Sequence, residues 1–197
     1  MLPIEPEGAN VSTKELRAWE TLSRKTTLHP SKFLTVESHT VKLPDGRVIP
    51  DWPWIIIPNA AIVLPMTDEG RFLCFRQVKY AIQGPSLAPV GGMIEAHERP
   101  LQAAKRELLE EMGCQASEWV NLGTYLLDPN RGIASMHLFL ARGAHKVSEP
   151  HSDDLEDQEL VPLSRAELEN ALRAGEFKVL SWTAVVSLAL NYLDANP

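Results

Sequence analysis

The stretch from Gly92 to Cys114 constrains this chain more than any other, because it sets glycines and charged residues at fixed distances around one helix. Gly92 is followed after five residues by Glu98, and after seven more by Arg106-Glu107-Leu108-Leu109-Glu110-Glu111-Met112-Gly113-Cys114. With each of the seven glycine or charged positions filled at about 6% by chance, the spacing arises on the order of once in a hundred million windows, so coincidence is no competitor. Pro100 in a first turn, Leu101, Ala104, Leu108 and Met112 at helical spacing, and Gly113 as a stop predict a helix over Pro100 to Met112 with that apolar stripe turned to the core.

At 100° per residue, Glu107 and Glu111 stand about 40° apart on this helix, Glu110 about 60° from Glu107 on the other side, and Arg106 about 40° beyond Glu110. Three carboxylates therefore share one face. Like charges so placed repel by a few tenths of a kcal/mol per pair, and a helix selected for stability alone would spread them. A lone Glu-Glu pair reads best as a solvated face. The wider pattern reverses that reading, because magnesium takes oxygen ligands and bridges one or two carboxylates to substrate phosphates. Gly91 and Gly92 complete it, since glycine lets backbone approach a metal or phosphate closely.

The rest of the chain gives the setting. Its 197 residues, 44% of them apolar, suit one domain. Ser12 to Glu15 carries a capping-box pattern, and Trp19 to Thr27 is open between helix and strand. Lys32 to Leu43, the turn Pro44-Asp45-Gly46 and Arg47 to Ile49 read as a hairpin, and Trp54 to Pro58, Ala60 to Pro65 and Arg71 to Lys79 as three strands. Val120 to Leu127, Met136 to Ala141 and Glu159 to Leu163 read likewise. Ser164 with Glu167 predicts a capped helix ending at Gly175, and Trp182 to Leu193 carries the apolar stripe of a last helix with Ser181 as its cap. Strands outnumber helices without regular alternation, so the fold class expected is α+β.

Cys74 and Cys114 show no metal-ligand or pairing pattern, the first thirty residues have no continuous apolar stretch, and the longest apolar run is too short to span a bilayer. A cytoplasmic location is expected, with no membrane partner. The net charge of -7 argues against nucleic acid and leaves room for a small anion held through metal ions.

The box resembles the signature of the Nudix hydrolase family, with Cys114 where an aliphatic residue is more usual. The resemblance implies an α/β/α sandwich around a mixed β-sheet. It makes Glu107 and Glu111 the main metal ligands, Glu110 a further ligand or water partner and the Gly91 carbonyl a backbone ligand, with Arg106 and Glu98 orienting the cluster. Arg76-Gln77-Val78-Lys79-Tyr80 looks like a strand of the ADP-ribose pyrophosphatase branch, Pro129 stands near that branch's proline, and His137 to Ala141 and Glu156 to Leu163 resemble it too. Two departures bear on substrate: Leu87-Ala88-Pro89-Val90 lacks the acidic residue often found before that branch's Pro-Ala-Gly, and Asp128-Pro129-Asn130-Arg131 replaces its usual Ser-Pro-Gly.

The activity implied is magnesium-dependent hydrolysis, with manganese as an alternative ion, of the pyrophosphate bond in ADP-ribose or a related nucleoside diphosphate sugar. Glu156 matches the branch's loop glutamate and is the expected base, with Glu159 as the alternative. Only one of Lys79 and Arg76 is expected to face the phosphates, Lys79 being preferred, since the two alternate along a strand. Arg131 is a loop cation suited to a terminal phosphate. Trp54 is a candidate to stack on a base, although two tryptophans flanking Pro53 equally suit a core or dimer contact. Residues 1–50 are expected to form an extension that helps build a homodimer, and 51–197 the hydrolase domain. A nucleotide-sensing module without turnover and a hydrolase of nucleoside triphosphates are the rival readings; an intact set of box carboxylates weighs against the first.

Overall fold

Two rows of apolar side chains alternate along the central strands, and each row is covered by a different set of helices. In the computed structural model, which describes residues 16–151 and 157–196, the chain runs through β1 (Glu20–Ser31), β2 (Leu34–Lys42), β3 (Val48–Ile56), β4 (Ala60–Met66), β5 (Phe72–Gln77), β6 (Ser86–Ala88) and β7 (Val90–Met93) before α1 (Pro100–Met112). There follow β8 (Cys114–Gln115), β9 (Glu118–Asp128), β10 (Gly132–Arg142), β11 (His145–Lys146), β12 (Gln158–Leu163), α2 (Arg165–Arg173) and α3 (Leu180–Ala195).

The main sheet has the order β1-β2-β3-β10-β4-β5-β12, with β7 on β4, β6 on β5 and β9 on β10. β10 runs parallel to β3 and β4, while the other pairings are antiparallel, so the sheet is mixed. Leu64, Phe72, Cys74, Leu138 and Leu140 point to one side, beneath Leu168 of α2 and Trp182, Val185, Val186 and Ala189 of α3. Ala61, Val63, Phe75, Phe139 and Ala141 point to the other, beneath Ala103, Ala104, Leu108 and Met112 of α1. This is the α+β sandwich expected.

Several local expectations change. The open segment after Trp19 is a strand, β1, while Ser12 to Glu15 lies outside the described residues. Arg47 to Ile49 and Trp54 to Pro58 are parts of one strand: Pro50 and Pro53 obscure it in the sequence, yet β3 pairs with β2 on both sides of them, with a register shift between His39 and Val41. The strand after Arg71 stops at Gln77, so Lys79 stands beyond it. Leu101, placed on the core stripe, is 38% exposed; Ala103 is buried instead, alongside Ala104 as expected, and their short side chains bring the first turns of α1 close to the sheet. Val179, not Ser181, caps α3, and Ser181 falls inside the first turn.

The α2 cap forms as its pattern requires. The Glu167 amide donates to Ser164 Oγ at 3.3 Å and the Ser164 amide donates to Glu167 Oε2 at 2.7 Å. Replacing Ser164 with Ala should lower unfolding free energy by about 1 kcal/mol, as measured by urea denaturation, because one amide of the first turn loses its acceptor.

Candidate functional site

The acidic helix meets the sheet at a place where the sheet has no side chains. Gly92 lies in register with Ala61, on the side that carries α1, and a Cβ there would collide with the Glu107 carboxylate. A Cβ on Gly91 would strike the Ala61 carbonyl oxygen of the neighbouring strand. The Gly-Gly pair therefore admits a carboxylate into the helix–sheet contact, and Glu107 is 8% exposed there while the Glu110 side chain, a turn further out, is 47% exposed.

Arg106 organises the surroundings. Its Nε donates to Glu98 Oε1 at 3.0 Å and its Nη2 to Glu98 Oε2 at 3.0 Å, a two-pronged pairing. Nη1 donates to Glu107 Oε1 at 2.7 Å and Glu110 Oε2 at 2.9 Å, and Nη2 also donates to the Met93 carbonyl at 3.0 Å. These bonds use all five donors of a guanidinium. They tie the end of β7, the loop to α1 and two turns of the helix to one cation. The chain turns at His97, with φ of 69°, just before Glu98, whose Oε2 also accepts the Glu95 amide at 3.0 Å. Hydrogen bonds from Arg106 hold the Glu98 carboxyl below the usual glutamate range, and Glu98 in turn raises the Arg106 pKa.

The other candidates are dispersed. Arg76 follows Cys74 and Phe72 in pointing to the α2 and α3 side, where it pairs with Glu176 at 3.2 Å; Glu159, its register partner, shares that face. Neither joins the carboxylates of α1. Arg131 pairs with Asp128 of its own turn at 3.4 Å, and the Asp128 carboxyl, kept low by the amides of Arg131 and Asn130, closes that turn around Pro129. Trp54 stacks on the buried His39 with centroids 5.1 Å apart, and a Cβ on Gly132 would collide with its ring. Glu156 lies outside the described residues.

Sequence reading gave no role to Asn59, which carries no motif, or to His137, which enters it only as the start of a strand resembling the ADP-ribose pyrophosphatase branch. The Asn59 carbonyl accepts the Ile94 amide at 2.9 Å and its Oδ1 accepts the Ser135 amide at 2.8 Å, joining the end of β7 to β10. Alternation along β10 fixes the face of His137, but only strand order reveals that β4 and β7 lie beside it. A separate cavity of about 360 Å³, lined by Lys105, Arg106, Leu109, Gln115, Ala116 and Trp119, opens on the flank of α1 away from Gly92.

Residues 57–183 match the NUDIX domain family, and residues 19–55 match the family described as the nucleoside diphosphate sugar hydrolase N-terminal domain. The chain belongs to the Nudix hydrolase family. It is 27% identical to an ADP-ribose pyrophosphatase of Bacillus subtilis over 86% of this chain and 90% of that one. It is 31% identical to a CMP-5'-(N-acetyl-N-hydroxy-3-aminopropyl)phosphonate hydrolase of Streptomyces rubellomurinus, over 83% of this chain and 78% of that protein. A solved structure titled as an ADP compounds hydrolase shares the fold, with a TM-score of 0.76 at 21% identity, covering 93% of this chain and 98% of its own.

Nudix hydrolases generally use divalent metal ions. Among the described residues, no three His, Cys, Asp or Glu side chains form a ready cage for a cation, and the centre of the cluster is the Arg106 guanidinium. The donor chemistry still fits magnesium, which needs only one or two hard carboxylates and completes its shell with water and phosphate. Glu107, which Gly92 admits against the strand, is one such hard ligand.

A carboxyl with a depressed pKa adds stability that is fully present above its unfolded value and is lost as pH falls through the folded one. For Glu98, that window lies below about pH 4.5. Glu98→Gln should therefore be less stable than the parent at pH 7, and the gap in urea midpoint should close progressively in acid. A gap that stays constant down to the acid transition would contradict the pairing.

Proposed function

We propose that this Nudix hydrolase cleaves the pyrophosphate bond of ADP-ribose or a related nucleoside diphosphate sugar, with magnesium as its ion and manganese as a working substitute. The observation that carries the reading is the Glu107 carboxylate seated against Gly92 with Glu111 one turn on, every box carboxylate being intact. The match of residues 19–55 to a nucleoside diphosphate sugar hydrolase family supports the substrate class, and the ADP-ribose pyrophosphatase relative supports ADP-ribose within it.

In this reading Glu107 and Glu111 hold the ion, with Glu110 and the Gly91 carbonyl as further ligands. A divalent ion bound there activates water and neutralises charge on the diphosphate oxygens. Arg106 fixes the carboxylates so that little reorganisation accompanies binding, and Glu98 fixes Arg106. Glu156 is proposed as the base that takes the proton of the attacking water, with Glu159 as the lesser candidate because it faces the α2 and α3 side. Lys79 is preferred over Arg76 for the phosphates, since Arg76 points to the α2 and α3 side of the sheet, away from the carboxylates of α1. Arg131, Pro129 and Trp54 cluster where β10 meets β3, the Ile55 amide donating to the Arg131 carbonyl at 3.2 Å, and are proposed as a wall of the substrate site.

Phosphatase-coupled phosphate release with magnesium should show turnover of ADP-ribose or a sugar relative above nucleoside triphosphates. Glu107→Gln and Glu111→Gln should each lower kcat/KM by at least about 100-fold, beyond the range usual for residues outside a ligand set. Glu156→Gln should collapse kcat without weakening metal binding, and a rate within about threefold of the parent would remove Glu156 from the base role. Turnover confined to nucleoside triphosphates, or none with any diphosphate, would overturn the substrate reading.

We also propose a cytoplasmic homodimer, with residues 1–50 as the dimer arm and 51–197 as the hydrolase domain. β1 is the outer strand of the sheet, all its residues are exposed, and Leu22, Leu28 and Phe33 are each about half exposed. An open strand edge carrying exposed apolar side chains invites pairing with a second chain. Light scattering at micromolar concentration should give twice the chain mass; the mass of one chain would contradict it.

A further inference from the structure

His137 occupies a place in the sheet that the acidic helix alone does not explain. Its register partner on β4 is Ala61, whose partner on β7 is Gly92, so the three positions form one row across neighbouring strands. Gly92 and Ala61 both face α1, and Phe139 and Ala141, which share the face of His137, are buried under that helix. At about 4.8 Å between strands, the His137 backbone lies about 10 Å from that of Gly92, on the surface against which Glu107 sits. Phe139 and Ala141 are covered, as is Ala61 beside His137, whereas His137 and Ser135 are only half-buried, so the face opens on β10 at this end of the row. The Asn59 bridge between Ile94 and Ser135 joins the strands on either side of the opening.

The imidazole is held from its other side. On β9, the register partner Thr124 shares a 2.9 Å hydrogen bond between its Oγ1 and His137 Nδ1. Nε2 has no protein partner among the described residues, and no buried side-chain nitrogen or oxygen there lacks one, so Nε2 is accessible from solvent. A ring oriented through one nitrogen presents the other in a fixed direction. Either tautomer of a neutral ring satisfies Thr124, because a hydroxyl both donates and accepts, and the same two-way capacity is what a sugar hydroxyl offers at Nε2. A phosphate oxygen would serve only the tautomer that donates. Burial lowers the His137 pKa, which keeps the ring neutral near pH 7 and favours an uncharged partner.

We propose that His137 is a substrate-binding residue of this hydrolase, its Nε2 exchanging one hydrogen bond with a hydroxyl of a sugar carried on the diphosphate, and that Thr124 is its positioning residue. The inference rests on the substrate class proposed above and adds to it the group that reads the sugar. It places the sugar on the row shared by Gly92, Ala61 and His137, two strands from the glycine against which Glu107 sits.

The test uses the full chain, with the ring nitrogens of histidine labelled and the His137 signal identified by its loss in His137→Gln. ADP-ribose should shift that signal, whereas methylenediphosphonate, which has the phosphonates and no sugar, should not. A shift with AMP assigns the nucleoside ribose, and a shift with ribose 5-phosphate assigns the far-side sugar; either supports the proposal. Thr124→Val should move the Nδ1 signal of the ligand-free protein, as loss of its hydrogen bond requires. In turnover assays, His137→Ala should raise KM for ADP-ribose about fivefold to tenfold, the scale of one neutral hydrogen bond, with kcat within about twofold, and His137→Gln should recover part of the loss. An unmoved His137 signal under saturating ADP-ribose, or an equal shift with methylenediphosphonate, overturns the proposal even if the parent turns over ADP-ribose. A shifted signal in a parent that hydrolyses no diphosphate leaves the His137 contact standing and removes the hydrolytic reading instead.

Discussion

One guanidinium holds the acidic corner of this molecule together. Arg106 spends each of its five donors on Glu98, Glu107, Glu110 and the Met93 carbonyl, so the end of β7, the loop after it and the middle of α1 share a single fixed point. Without such a cation, carboxylates one turn apart would repel, and the most buried of them, Glu107, would sit against the sheet at a high desolvation cost. Lysine could not replace it, since an ammonium has three donors and no planar fork to meet Glu98 at both oxygens. The two glycines at Gly91 and Gly92 are the matching constraint on the strand side, because any side chain there would push the helix and its acids away.

The wider fold serves that contact. A mixed sheet with a parallel β10–β4 pair at its centre gives α1 a rigid face to lie on, while α2 and α3 close the opposite face with a core of their own. Ala103 and Ala104 keep the first turns of α1 close, and Gly113, in the left-handed conformation with φ of 64°, ends it by donating its amide to the carbonyls of Leu108 and Leu109. The N-terminal strands join the same sheet through β3 and β10, so the residues that match the nucleoside diphosphate sugar hydrolase N-terminal family reach the β9–β10 turn directly. Trp52 secures that junction, its Nε1 donating to the Asn130 carbonyl at 2.7 Å.

Much of this was legible in the sequence wherever one local pattern decided the outcome. The spacing from Gly92 to Gly113 gave α1, its acidic face and the family, and Ser164 with Glu167 gave the cap of α2. Helical spacing sets Arg106 beside Glu110, but its two-pronged commitment to Glu98 depends on the loop folding back, which helical geometry does not contain. Two prolines hid the continuity of β3, since a missing amide looks like a break until the partner strand is known. Arg76 and Lys79 were read as alternating on one strand, whereas the strand ends between them and Arg76 turns to the α2 and α3 side. His137 and Asn59 were invisible for a related reason: their meaning comes from strand order, which no spacing along one segment encodes.

The central proposal is that Glu107, held by Arg106 against Gly92, and Glu111 one turn on form the site of a divalent ion. The most direct measurement is manganese binding by electron paramagnetic resonance, comparing the parent with Glu107→Gln and Glu111→Gln, each confirmed as folded by circular dichroism. The account predicts that the parent quenches the free-ion signal near one equivalent or more and that both variants bind at least about tenfold more weakly. Equal binding by parent and variants would place the ion elsewhere and contradict the account.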